Sequence, residues 1–236
     1  MSDTEVANTE PLLPPRPVEA VLFDLDGTLI DTAPDFVRIL NQLRREHELE
    51  PFPYDTIRQQ VSNGARALVT LAFGGEDSNP HFAEHLETLL NRYEQGLAED
   101  SCLFTGLDAT LQALEARNIP WGIVTNKPSR YTNPLIAGLN LSNRCAVAIC
   151  PDQVTHRKPH PEPIFTACEK IGVDPAATIY VGDHARDIEA GKRANNFTVA
   201  AGWGYLNEGE QAADWQAHIT LATPQDFNQW LLAQLQ

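Results

Sequence analysis

Six short runs of this chain are apolar at consecutive positions instead of at every second one: VEAVLFD (18–24), WGIVT (121–125), AVAIC (146–150), TIYVG (178–182), FTVAAG (197–202) and, more weakly, AHITLA (217–222). A strand with one face in water alternates apolar and polar side chains. An unbroken apolar run asks for cover on both faces, as strands of a parallel sheet have. Between the runs lie amphipathic stretches of helical period. Leu107, Leu111 and Leu114 recur at i, i+4 and i+7, and Ile164, Ala167, Cys168 and Ile171 do likewise. Strand and helix in alternation predict an α/β fold, a doubly wound Rossmann-like parallel sheet with helices on both faces.

The alternation fails between 33 and 103. About 70 residues there carry helical patterns at 34–47, 55–72 and 81–97 without a convincing strand, too long an interval for a structureless loop in a compact domain. It reads as an α-helical domain inserted into the core, which then comprises 18–32 and 104–236. Residues 1–17, rich in proline, read as a poorly ordered lead.

Composition narrows the partners. The formal net charge of -15 gives a surface field that repels nucleic acid and anionic membranes. The N-terminus carries acids where a signal peptide needs basic residues, and no run reaches the roughly 18 apolar residues of a membrane span. The expectation is a soluble, cytoplasmic monomer or homodimer acting on a small molecule. A phosphorylated substrate would have to be drawn in against the field, which a bound divalent cation would achieve. The cysteines at 102, 145, 150 and 168 form no C-x-x-C pair and no zinc-type spacing with histidine, so they read as reduced thiols.

The stretch 21-VLFDLDGTLIDT-32 sets Asp24 and Asp26 where a buried strand ends. Taken alone, Asp-Gly is a common turn pair, while a calcium loop is excluded because the glycine follows the second acid immediately. Three further stretches end strands or lie just beyond them. WGIVT runs into Thr125-Asn126-Lys127-Pro128, 155-THRKPHPEP-163 holds Lys158 ahead of a helix beginning near Pro161, and 179-IYVGDHARD-187 holds Asp183 and Asp187. Each has a commonplace reading, as a solvated lysine or a capped helix. Together, at the carboxyl ends of a parallel sheet where ligand crevices open, they supply the carboxylates, ammonium, hydroxyl and amide of a Mg²⁺ and phosphate site.

In this order the four stretches resemble the haloacid dehalogenase superfamily of phosphohydrolases over about 18–222, with the family's helical cap falling at 33–103. The segments 62-SNGARALV-69, 121-WGIVTNKP-128, 149-ICPDQV-154 and 181-VGDHARDIEAG-191 are similar to its phosphoglycolate phosphatase-like branch, and within it to the bacterial N-acetylmuramic acid 6-phosphate phosphatases. The resemblance implies Mg²⁺-dependent hydrolysis of a small phosphorylated metabolite through an aspartyl phosphate. N-acetylmuramic acid 6-phosphate is the first expectation, and 2-phosphoglycolate is the alternative.

By the same resemblance Asp24 is the nucleophile and a metal ligand. Asp26 is the acid and base, with its backbone carbonyl on the metal, and Asp183 completes the ligands. Asp187 orients metal-bound water or the lysine, and Lys158 offsets charge on the phosphoryl group and on Asp24. Thr125, Asn126 and the Gly27 N–H face the phosphoryl oxygens, and Arg66 in the cap's specificity loop faces the leaving group. Asp26 speaks against the family's dehalogenases, which lack that acid. Thr28 leans toward hydrolysis and away from sugar phosphomutases, which often carry valine there. A non-catalytic binding protein of this fold would have been free to lose a motif acid or the lysine, and none is lost.

Overall fold

The computed structural model describes residues 13–235. Of the expected lead, 1–12 lie outside the described residues, and Arg16 pairs with Asp174 at 2.7 Å. From there β1 (Ala20–Phe23) runs into the turn that carries Asp24 and Asp26, and a short β2 (Ile30–Asp31) follows. Four helices come next: α1 (Ala33–Glu46), α2 (Tyr54–Arg58), α3 (Ala65–Phe73) and α4 (Phe82–Gln95). The chain then returns through β3 (Cys102–Leu103), which pairs antiparallel with β2 so that Ile30 faces Leu103 and Asp31 faces Cys102. Beyond this point strand and helix alternate: α5 (Leu107–Glu115), β4 (Trp121–Val124), α6 (Ser129–Gly138), β5 (Val147–Ile149), α7 (Glu162–Ile171), β6 (Thr178–Gly182), α8 (Ala185–Arg193) and β7 (Phe197–Ala201). A final β8 (Ile219–Leu221) and α9 (Pro224–Gln234) complete the fold.

All six apolar runs are strands of one parallel sheet in the order β5-β4-β1-β6-β7-β8. Neighbouring positions of β1 belong to opposite apolar layers. Val21 and Phe23 pack with Leu107, Leu111, Ile123 and Phe227, while Leu22 packs with Val124, Ile149, Ile164 and Tyr180. That two-sided cover is why the runs are apolar throughout. The chain builds outward from β1 through β4 and β5, then crosses to β6, β7 and β8 on the other side. Strand order therefore reverses beside β1, and a crevice opens there at the carboxyl ends.

The four helices between β2 and β3 bury a further apolar cluster that includes Phe36, Ile39, Leu40, Ile57, Leu68, Val69, Leu89 and Tyr93, and Tyr131 and Tyr205 join it from outside these helices. The helical pattern expected over 55–72 is broken in the structure. A 3₁₀ turn, Val61–Asn63, separates α2 from α3, and Gly64 takes φ 85°, a conformation glycine reaches without a Cβ clash. The interval expected to lack strands ends in β3, too short to leave a periodic signal. Buried Asp35, in the first turn of α1, binds the returning chain at the base of these helices: it accepts from Asp100 N at 3.0 Å, from Ser101 N at 3.2 Å and from the Ser101 hydroxyl.

Candidate active site

Asp24 continues β1 and donates its N–H to the Val181 carbonyl of β6 at 2.8 Å, which holds it between the two strands where the order reverses. The turn after it depends on Gly27 at φ 83°, where a Cβ would lie 2.1 Å from Asp183 Oδ2. The Gly27 N–H donates to the Ile30 carbonyl at 3.0 Å, so in this state it is engaged within its own turn. Thr28, buried in the same turn, donates its hydroxyl to Asp183 Oδ1 at 2.9 Å.

Lys158 sits just before α7 and is 2% exposed, unlike the solvated lysine a loop usually carries. Its Nζ lies 2.8 Å from Asp24 Oδ1 and 2.7 Å from Asp187 Oδ1, and donates to the Val124 carbonyl at 2.8 Å and the Tyr180 hydroxyl at 2.9 Å. The Asn126 side-chain amide reads both backbone groups of Lys158, donating to its carbonyl at 3.0 Å and accepting from its N–H at 3.1 Å. Asn126 thus fixes the lysine loop. Thr125, buried beside it, accepts from the Lys127 N–H at 3.1 Å.

Asp183 and Asp187 leave the end of β6 and the first turn of α8. Asp183 accepts from Thr28, from the Tyr205 N–H at 2.9 Å and from the Ser62 hydroxyl at 3.2 Å. Oxygens of Asp24, Asp183 and Asp187 all lie within 4.8 Å of one another, and Asp187 Oδ2 finds no hydrogen-bond donor among the described residues. Burial, reinforced by the charges of Asp24 and Asp187, pushes Asp183 up to about 7. Burial and the charge of Asp24 push Asp187 up to about 6 against the pull of Lys158. Burial works against the Lys158 ammonium, but Asp187 and Asp24 outweigh it and hold the lysine above its ordinary value. Three buried carboxylates, of which only Asp24 and Asp187 share the one ammonium, with an orphan oxygen among them, are the kind of hard-oxygen donor set a divalent cation such as Mg²⁺ takes.

Asp26 faces a different group. Its Oδ1 accepts from the Thr32 hydroxyl at 2.6 Å and from Lys127 Nζ at 2.8 Å, and the same ammonium donates to the Tyr93 hydroxyl of α4 at 2.7 Å. Lys127 stays above its ordinary value because Asp26 and Tyr93 outweigh its burial, and burial pushes the Tyr93 hydroxyl up to about 12. Neither Lys127 nor Tyr93 was expected at the site from sequence. Lys127 stands in the quoted TNKP at a strand's carboxyl edge, a signal that could have found it, whereas Tyr93 is indistinguishable from a core position of its helix.

The structure does not bring Arg66 to these carboxylates. Its exposed side chain pairs with Glu76 and lies 5.0 Å from the centroid of the Phe82 ring, at the edge of a cavity of about 300 Å³ shared with Arg130 and Tyr131. Ser62, in the 3₁₀ turn just before α3, reaches the cluster instead. Around it, Arg186 donates to the Ser62 carbonyl at 2.7 Å, and Asn63 donates to Asn207 at 3.0 Å. Another grouping of possible ligands, His156, His160 and Glu162, lies on the surface. Its carboxylate is already engaged by the Thr155 and His156 N–H groups at 2.7 and 2.9 Å, as befits the start of α7.

No helix among the described residues is long and apolar enough to cross a membrane. Comparison with known proteins agrees with the geometry. The chain is 40% identical over 210 residues to an N-acetylmuramic acid 6-phosphate phosphatase of Pseudomonas aeruginosa, covering 89% of this chain and 93% of that protein. It is 41% identical over 205 residues to a phosphoglycolate phosphatase of Xanthomonas campestris, covering 87% and 92%. A crystal structure described as a predicted phosphoglycolate phosphatase from Haemophilus somnus superposes with a TM-score of 0.79 over 92% of this chain and 99% of that one, at 24% identity, and speaks for the fold alone. Residues 21–201 match the haloacid dehalogenase-like hydrolases, and the chain belongs to that family.

Proposed function

We propose that the chain hydrolyses N-acetylmuramic acid 6-phosphate, with 2-phosphoglycolate as the alternative substrate, in the crevice above Asp24. As a family member with the acidic cluster intact, it is a phosphomonoesterase for a small phosphorylated metabolite. The observation that carries the mechanism is the buried Asp24 carboxylate held at 2.8 Å by Lys158, with a second, partly accessible acid two residues on.

In this reading Asp24 attacks phosphorus and forms an aspartyl phosphate, while Asp26 gives its proton to the departing alkoxide oxygen. Asp26, now ionised, takes a proton from the water that attacks the aspartyl phosphate, releasing phosphate and restoring Asp24. Lys158 and the Thr125 hydroxyl stabilise the charge gathered on the phosphoryl oxygens. Asn126 keeps Lys158 in place, and Asp187 fixes the lysine from its other side. Asp24, Asp183 and the Asp26 carbonyl would hold Mg²⁺, which supplies charge neutralisation for the phosphoryl group when bound. Residues 33–103 form the cap on a core of 18–32 and 104–236, and the cap excludes water from the crevice.

The first substrate is supported by the longer of the two matches, 210 residues against 205, and by the segments quoted from the sequence. The identities of 40% and 41% do not separate the two names. Measuring kcat/KM for both compounds with Mg²⁺ present decides between them, and equal, poor rates on both would remove either name.

Cation binding should depend on pH in a defined direction. Asp183 at about 7 and Asp187 at about 6 lie above the ordinary carboxylate value of roughly 3.9, so the folded chain holds protons that the unfolded chain releases. The stability these groups contribute is complete below roughly pH 4 and is lost as pH rises through 6 to 7. A cation replaces the missing protons. The rise in melting temperature on adding Mg²⁺ is therefore expected to be larger at pH 7.5 than at pH 5.5, with EDTA as the reference. Equal increments at the two pH values would contradict the cluster as the binding site.

A further inference from the structure

The reaction scheme gives no role to the contacts that hold Asp26. Its Oδ1 lies 2.8 Å from Lys127 Nζ, and that ammonium is 2.7 Å from the Tyr93 hydroxyl. The ammonium also faces two rings, 4.5 Å from the centroid of Tyr93 and 5.3 Å from that of Phe36, and the rings stack on each other at 4.1 Å. Asp26 and Lys127 belong to the loops at the sheet's carboxyl edge, whereas Phe36 and Tyr93 come from α1 and α4. The Lys127 side chain is 8% exposed and Tyr93 is 1% exposed, so the contact is closed to water. An ammonium buried to this degree has to be satisfied from all sides, and here the inserted helices supply one hydroxyl and two π faces of its environment.

We propose that Tyr93 and Lys127 are positioning residues that aim the Asp26 carboxyl at the leaving-group oxygen only while the helical insertion is closed. Closure places the Tyr93 hydroxyl on Lys127 and Lys127 on Asp26. Opening strips the hydroxyl and both rings from the ammonium and releases lysine and acid to solvent. Proton transfer is thereby tied to the state from which water is excluded. The inference rests on the reading of Asp26 as proton donor to the leaving group.

The test compares substrates that differ in their need for that proton. Glycerol 2-phosphate departs as an alkoxide and needs it, while p-nitrophenyl phosphate departs as a stable phenolate and does not. In Tyr93→Phe and Lys127→Met, kcat/KM for glycerol 2-phosphate is expected to fall by roughly 10- to 100-fold, and for p-nitrophenyl phosphate by less than about threefold. Asp26→Asn should show the same bias more strongly. Tyr93→Phe removes a single oxygen from a packed ring, so it keeps the test valid if Lys127→Met folds poorly. Equal losses on both substrates, as a purely structural contribution would give, overturn the proposal, and so do unchanged alkyl rates. If Asp26→Asn shows no bias, the reading of Asp26 fails and the proposal falls with it. If Asp26→Asn is biased and Tyr93→Phe is not, the proposal alone falls.

Discussion

Asp24→Asn is expected to lower turnover by roughly 10⁴-fold or more while leaving the chain folded, because the proposed mechanism then loses its nucleophile and keeps only binding and charge stabilisation. Asparagine matches the shape of the carboxyl group, so β1 keeps its packing and its bond to Val181. The charge of Asp24 is one of the causes that push Asp183 and Asp187 upward. Its removal relieves that repulsion, and the metal-free melting temperature should be unchanged or higher. Mg²⁺ should stabilise the variant less than it stabilises the wild type, since one ligand oxygen has lost its charge. The checks are phosphate release and thermal melts with and without Mg²⁺. A folded variant that kept near wild-type hydrolysis would remove Asp24 from the nucleophile's role.

Lys158→Met should act first on the fold. The ammonium is the group that Asp24 and Asp187 share, at 2.8 and 2.7 Å, and methionine fills the space without the charge. Removing one partner from a buried ionic group typically costs about 3–5 kcal/mol. In a chain of this size that lowers the melting temperature by on the order of 10 °C. The loss should be greatest in EDTA at pH 7.5. It should shrink at pH 5.5, where Asp187 and Asp183 take up protons and need no counter-charge. Activity should fall with it, because in the proposed mechanism the same ammonium offsets the phosphoryl charge. A melting temperature unchanged from wild type at pH 7.5 in EDTA would show that the lysine does not balance the buried acids.

What could be read in advance followed from short-range rules. An apolar run of strand length in an α/β chain suits a strand covered on both faces, and each of the six runs became a strand of the parallel sheet. The acids of the first and last motifs were legible because they stand where strands end, and parallel strands end on one side of the sheet. Other elements left weaker signals. Helix α6 contains Pro134, a residue that ordinarily argues against a helix interior. The break between α2 and α3 depends on the positive φ of Gly64, which no periodicity announces.

Residues whose destination depends on a distant partner were the hardest to read. A guanidinium goes to the carboxylate within reach, and for Arg66 that is Glu76, ten positions away on a curve of chain that the sequence does not draw. Lys127 stands next to Asn126, yet the two side chains part company: one binds the backbone of Lys158, and the other spans Asp26 and Tyr93. Spacing along a chain identifies which groups are available, while their pairing is decided by packing between elements far apart in sequence.

The short pair of β2 and β3, bound at its base by Asp35, has a mechanical consequence. Two strands side by side, joined by hydrogen bonds, resist twisting and sliding far better than a single thread would. Were the helices beyond them to move as a body, the pair would favour one freedom, a swing about its own line. A body with one freedom returns along the path by which it left. Ser62 and Tyr93 ride on that body some thirty residues apart, and each such return would bring Ser62 to Asp183 and Tyr93 to Lys127 together, so neither contact would have to be found by its own search.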